Sequence, residues 1–396
     1  WEINSNGVDG TIYVQVGGDE PRSGPWTKEV PPYGTENIEI LRFSEETVDG
    51  SQPDTDHAST EEPVNTINGG MYFDEHDVLV NAPGFDLEWT RAYNSAYEGT
   101  NGLLGARWAH NYDWRVTETT LSGGGTNSQP GLTVRMGGGR SLNLRQDGTN
   151  PVWRSTRDTK FEVSRTVDGE YLLSPGSGVG YRFGTNGWLV AMTNAWNNRL
   201  TFSYTNISGE SLLSRVEAGD GRALSFTYTS NLMTRVDTPS TNLVMFYSYN
   251  ASGELTNATR RLATVDFSTV YRYATNGSHS LTQRVNSVGE VFAYTYRTNA
   301  PTQCDHVTVG SNYYDHTVSY STNGTSTTVT YARGDTNQVY QYTFDPSPDT
   351  RRVTAITLPG DTNLIHRFDY DSGSLTLTNE SWAARPSYQA TIFGGP

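Results

Sequence analysis

Cysteine occurs once, at Cys304, so this 396-residue chain can form neither an internal disulfide nor a cysteine-based zinc cage. Lysine stands only at Lys28 and Lys160. Nearly all positive charge is therefore arginine, whose planar fork suits carboxylates, and ion pairs on sheet surfaces are expected. No apolar run reaches the roughly 18 residues of a membrane helix, so no membrane span is expected. A formal net charge of −15 leaves no basic footprint for a phosphate backbone and argues against nucleic acid as a partner. With glycine counted and tyrosine left out, apolar residues make up about 38%, below the roughly 45–50% of ordinary globular chains, which excludes a thick helical core. The chain begins at Trp1 without an initiator methionine, as expected after removal of a signal peptide or for a piece of something larger.

Tyrosine, threonine, valine, asparagine and glycine are plentiful instead, the mixture of half-buried strands joined by tight turns. The length exceeds the roughly 250–300 residues at which single cores stop growing, so several domains or a repetitive architecture is expected. Residues 1–44 hold two strand candidates, Thr11 to Val16, with Ile12, Val14 and Val16 on one face, and Ile38 to Phe43; the first is a candidate for strand addition to another chain. Residues 45–68 are acidic, polar and without periodicity, which predicts a linker. Residues 69–180 alternate as strand after strand. The glycine clusters at Gly123 to Gly125 and Gly137 to Gly139 have strand patterns on both sides, so they read as hairpin turns rather than phosphate cradles.

Residues 181–396 repeat. An aromatic-x-aromatic pair closes unit after unit: Tyr181/Phe183, Phe202/Tyr204, Phe226/Tyr228, Tyr247/Tyr249, Tyr271/Tyr273, Tyr294/Tyr296, Tyr342/Phe344 and Phe368/Tyr370. From Phe183 to Tyr296 the second aromatics recur every 21 to 24 residues. A second strand precedes most pairs: Leu213-Ser-Arg-Val216, Met233-Thr-Arg-Val236, Leu262-Ala-Thr-Val265, Thr282-Gln-Arg-Val285 and Val353-Thr-Ala-Ile356. Each unit is one hairpin, and a lone hairpin is marginal in water, so the units are expected to add edge to edge into one long sheet with the aromatics packed as a ladder. Thr317 to Tyr331 reads as a hairpin whose Asn323-Gly324 forms a type I′ turn.

No catalytic, metal or cofactor site is expected. Cys304 and His306 share a strand face, but alternation sends Asp305 to the other, and a productive thiol needs base and orienting group together. The other histidines lack ligand spacing. Asp361, Asp369 and Asp371 read as solvated turn acids, not as a calcium site. The tryptophans read as packing rather than sugar platforms, and the Asn-x-Ser/Thr triplets at Asn206, Asn257, Asn276, Asn323 and Asn379 are common in turn-rich β sequences.

The units resemble the YD repeats of Rhs proteins, toxin-complex cocoon subunits and teneurins, on Leu212 to Tyr228 (LLSRVEAGDGRALSFTY) above all. The preceding segment resembles the domain before the repeats in bacterial Rhs proteins: Arg91, Tyr93, Asn94 and Ser95 match Arg-x-Tyr-Asn-Ser, and Leu104, Gly105 and Trp108 match Leu-Gly-x-x-Trp. The resemblance implies an all-β ribbon of tandem hairpins spiralling into a shell, often around a C-terminal effector. Asp345-Pro346 lacks the glycine of the family's self-cleavage signature, so no cleavage residue carries over. The expectation is a non-enzymatic scaffold, secreted or on a bacterial cell surface, whose partners are proteins, copies of itself or an effector beyond this chain. A self-assembling extracellular filament and a carbohydrate-binding surface protein are the alternatives.

Overall fold

A computed structural model describes residues 2–4, 13–15, 59–60, 63–97, 102–122, 128–139, 141–146, 151–154, 161–174, 178–310, 314–333, 336–345, 352–360, 365–370 and 377–383. The chain divides into two compact units, Trp1–Phe43 and Ser44–Pro396. In the first, strand β1 (Glu2–Asn4) pairs antiparallel with β2 (Tyr13–Gln15), Ile3 opposite Val14. Ile12, Val16 and the stretch Ile38 to Phe43 lie outside the described residues.

Among its described residues the second unit is all-β and forms two sheets. The small one has three strands, β3 (Tyr72–Val80), β4 (Leu87–Asn94) and β5 (Trp108–His110). The large one runs from β6 (Arg115–Ser122) to β29 (Leu377–Ala383), 24 strands, each antiparallel to the next in sequence. No register joins β29 back to β6 among the described residues, so this is a long hairpin ribbon and not a closed barrel. The ribbon does not break at residue 180, where the onset of the aromatic repeat suggests a boundary: β11 (Tyr171–Ser174) pairs with β12 (Val179–Phe183). Nor is the stretch to residue 68 all linker. Val64, Asn65 and Thr66 are buried, and the Asn65 side chain accepts from the amides of Ile67 and Asn68, which satisfies in a packed turn the polar groups that make the segment look solvated.

Alternation puts Val216, Leu224, Val236 and Val307 on the buried face and arginine-carboxylate pairs such as Arg215–Glu217 and Arg235–Asp237 on the exposed one. Most repeats carry a β-bulge just before the second aromatic, as at Ser203/Tyr204, Thr227/Tyr228, Ser248/Tyr249, Arg272/Tyr273 and Asp369/Tyr370. The extra residue on the facing strand is Ser214, Thr234, Thr256, Thr282 or Thr378, and its hydroxyl donates to the carbonyl of Ser203, Thr227, Ser248, Arg272 or Asp369. The tyrosine hydroxyl then reaches back across the ribbon. Tyr228 donates to Leu213 O (2.6 Å), Tyr273 to Leu255 O (2.8 Å) and Tyr296 to Leu281 O (2.9 Å), each acceptor being the residue opposite the preceding unit's tyrosine. The sequence pattern thus encodes a bulge, a hydroxyl that closes it and a tyrosine that ties one hairpin to the last.

Two local expectations are corrected. Leu262-Ala-Thr-Val265 is not a strand but the tip between β19 (Leu255–Leu262) and β20 (Val265–Tyr273); Leu262 and Val265 are half exposed, and the buried leucine of that unit is Leu255, followed by its bulge residue Thr256. Asn323-Gly324 does not form a type I′ turn, which needs positive φ at both residues; only Gly324 has it (φ 67°), and Ser321 N closes a longer loop on Ser326 O.

The start of the ribbon folds back on itself. Val116 N donates to Gly187 O (2.9 Å), Arg115 bridges Trp188, and Trp114 stacks on Tyr181 at 4.1 Å. A Cβ on Gly187 (φ +78°) would lie 2.0 Å from Val116 O, so this seam admits only glycine.

Candidate functional site: the interface between the two sheets

The motif residues converge on one buried layer between the small sheet and the aromatic ladder. Arg91, fully buried on β4, pairs through Nε and Nη2 with Asp77 of β3 and donates to the Tyr271 hydroxyl (3.2 Å). Its guanidinium also lies 5.0 Å from the Trp108 ring and 5.3 Å from that of Tyr247. Burial lowers the Arg91 pKa, but Asp77, together with Tyr271 and Tyr247, outweighs this and holds it well above its ordinary value. The Tyr247 hydroxyl donates to Asp77 Oδ2 (2.5 Å) and accepts from Trp89 Nε1 (2.7 Å). Burial, with Asp77 adding to it, pushes the Tyr247 pKa far up, so the phenol stays protonated and able to donate. Arg91 is thus no surface ion-pair arginine: its charge is matched inside the molecule, where losing either partner is expensive.

The rest of the motif extends this layer. Trp108 Nε1 donates to Tyr273 OH (2.9 Å). Tyr93 OH donates to His279 O (3.2 Å) and accepts from Leu281 N (2.8 Å). Ser95 Oγ donates to Thr302 O (2.7 Å), and Asn94 Oδ1 caps the turn by accepting from Ala96 N (2.9 Å). Leu104 is buried. Gly105 (φ +92°) approaches the β-turn at Gly253 so closely that a Cβ would stand 2.5 Å from Gly253 O, which explains the glycine of Leu-Gly-x-x-Trp. Arg107 adopts positive φ (66°) and is fixed there by donating to Ser95 O, Tyr97 O (3.2 Å) and Ser278 O (2.7 Å). Glu254 joins the two receiving turns, bonding His279 Nδ1 (2.9 Å) and accepting from Asn250 Nδ2 (2.6 Å).

On the ladder side, Phe183, Phe202, Phe226, Tyr247, Tyr271, Tyr294, Tyr342, Phe344 and Phe368 are buried. Tyr204, Tyr228, Tyr249, Tyr273, Tyr296 and Tyr370 are half-buried and tied by their hydroxyls to Leu189, Leu213, Met233, Leu255, Leu281 and Val353 carbonyls. Sequence reasoning missed one unit, closed by Tyr320, whose hydroxyl donates to Cys304 O (2.5 Å). Val318 stands where other units have an aromatic, but the spacing of 24 residues from Tyr296 marks it. It missed Asp77 as well; the signal was an acid followed directly by Val78, Leu79 and Val80 within a strand pattern.

Cys304 and His306 are not brought together as thiol and base. The Cys304 thiol is buried, donates to His306 O (3.5 Å) and is pushed up to about 12 by burial, with Asp305 adding to it. The His306 Nε2 faces Asp315 Oδ1 at 2.6 Å. Asp369 accepts from Asn379 Nδ2 (3.0 Å), and Asp361 and Asp371 lie outside the described residues. Among the described residues no group of three or more His, Cys, Asp or Glu could hold a metal ion.

A family model described as a domain of unknown function, DUF6531, matches residues 61–144, the stretch that carries the small sheet and runs into the third strand of the ribbon. No curated protein matches the chain. Among solved structures, TcdB2-TccC3 without its hypervariable C-terminal region is similar over 79% of this chain at 14% identity, with a TM-score of 0.38. TcdB2-TccC3-TEV is similar over the same 79% at 14% identity, with a TM-score of 0.37. In both the chain spans 18% of the other structure's length.

Proposed function

We propose that the chain is a shell-building module of a secreted or cell-surface YD-repeat protein, a non-enzymatic scaffold that encloses or presents a polypeptide partner. The observation that carries this reading is the buried layer joining Arg91, Asp77, Tyr247 and Tyr271: two independent sequence signatures, the Arg-x-Tyr-Asn-Ser segment and the aromatic repeat, meet in one network. Asp77 has both oxygens engaged by Arg91 and Tyr247, so the layer's chemistry is directed at docking one sheet on the other. A ribbon whose repeats are tied hairpin to hairpin, with a small sheet fastened to its buried face, makes a stiff curved wall. Light scattering and negative-stain imaging of the purified chain test the reading. A monodisperse curved particle is expected; long polymers would replace the scaffold with a strand-exchanging filament, and retention of glycans on an array would favour the carbohydrate-binding alternative.

A further inference from the structure

Four Asn-Gly pairs lie wholly within the described residues: Asn68-Gly69, Asn186-Gly187, Asn276-Gly277 and Asn323-Gly324. In each, the asparagine side-chain carbonyl accepts from the amide two residues on, that of Gly70, Trp188, Ser278 or Thr325. Such pairs deamidate when the glycine nitrogen attacks asparagine Cγ. Its proton is lost, ammonia leaves as the succinimide ring closes, and water opens the ring to aspartate or to isoaspartate, whose main chain runs through the former side-chain carbonyl. The attacking nitrogen must be free to lose its proton and approach.

In three of the pairs it is held. Gly69 N donates to Asn65 O (2.7 Å), Gly187 N to Gly184 O (2.9 Å) and Gly324 N to Ser321 O (3.1 Å). Packing also confines two of them, since a Cβ would meet Gln303 Cβ at 2.8 Å from Gly69 and Val116 O at 2.0 Å from Gly187. Gly277 differs on both counts: its N–H, in a turn of the same kind, makes no close hydrogen bond among the described residues, and a Cβ there would meet nothing within 4 Å. Asn276 and Gly277 are both exposed.

We propose that Asn276 is a spontaneous deamidation site, and that its conversion loosens the small sheet from the ribbon. The turn it occupies supplies the receiving groups of the interface: Ser278 O for Arg107 (2.7 Å), His279 O for Tyr93 (3.2 Å), and Leu281 N for the Tyr93 hydroxyl (2.8 Å). Isoaspartate at 276 adds a main-chain methylene and a carboxylate two residues before the first of these. Both displace carbonyls whose positions Arg107 and Tyr93 read directly.

The test is to age the full chain in mildly alkaline buffer, map its peptides by mass spectrometry with isoaspartate methyltransferase labelling, and follow hydrogen exchange of the same samples. Product is expected at residue 276 several-fold sooner than at 68, 186 or 323, with faster exchange at Leu281 and across Leu103 to Trp108; Asn276→Gln, or Asn276→Ser should the first variant fold poorly, should age without that change. Equal or slower conversion at 276 overturns the site assignment. Conversion without a change in exchange overturns its coupling to the interface.

Discussion

The indole of Trp89 and the hydroxyl of Tyr247 meet at 2.7 Å although 158 residues separate them in the chain. The bond joins the small sheet to the ribbon and continues through Tyr247 to Asp77 and Arg91, so one contact reports on the whole layer.

Removing the charge at its centre should be costly. Arg91→Ala leaves the Asp77 carboxylate buried and unpaired and is expected to lower stability by about 3–5 kcal/mol. The double change Arg91→Met with Asp77→Leu should recover much of that, because no orphan charge remains. Urea unfolding midpoints of the two variants and of the unchanged chain measure both effects.

Gly105→Ala should separate docking from folding. The positive φ and the approach to Gly253 O together are expected to cost about 1–3 kcal/mol. The loss should appear as faster hydrogen exchange in β4 and β5 while the ribbon's amides remain protected.

The tyrosine ties should act as independent increments. Tyr204→Phe and Tyr320→Phe each lose a bond to a backbone carbonyl, of Leu189 and Cys304, and are expected to cost about 0.5–1.5 kcal/mol. The two sites lie far apart along the ribbon, so the double variant should equal the sum within about 0.5 kcal/mol.

Acid should destabilise the unit before any carboxylate titrates in bulk. Burial lowers the pKa of His110 and of His316 from 6.5 to about 4, Arg135 adding at the first and His306 at the second, and Asp113 and Asp315 opposing. Between those values the unfolded chain binds a proton at each site that the folded chain does not, so stability is lost as pH falls from about 6.5 towards 4. The two sites together offer several kcal/mol, and replacing His110 with Gln should flatten the dependence seen in thermal unfolding between those pH values.

Cys304 should be inert in the folded chain. With its thiol pushed up to about 12 by burial, alkylation at neutral pH is expected to be very slow in buffer and rapid in denaturant, which mass measurement distinguishes.

Much of the ribbon was legible because its stabilising device is local and periodic: a small hydroxyl residue after a leucine or methionine, then an aromatic pair about a dozen residues on. Where a residue departs from that code the reading slipped. Leu262-Ala-Thr-Val265 has the right residue types but sits at an exposed tip, while Leu255-Thr256 holds the bulge. Tyr320 escaped notice because Val318 takes the place of the first aromatic in its pair. The motif residues were visible, but their partners were not. That Arg91 meets Asp77 and Tyr271 depends on how the ribbon curves over the small sheet, a long-range relation that alternation and spacing do not encode.

The most direct test of the two-sheet layer is a double-mutant cycle between Trp108 and Tyr273, which meet at 2.9 Å across it. Stability is measured for Trp108→Phe, Tyr273→Phe and the pair. A coupling energy of at least about 0.5 kcal/mol is expected for residues that share a buried hydrogen bond; strict additivity would mean that the small sheet does not lie on the aromatic ladder.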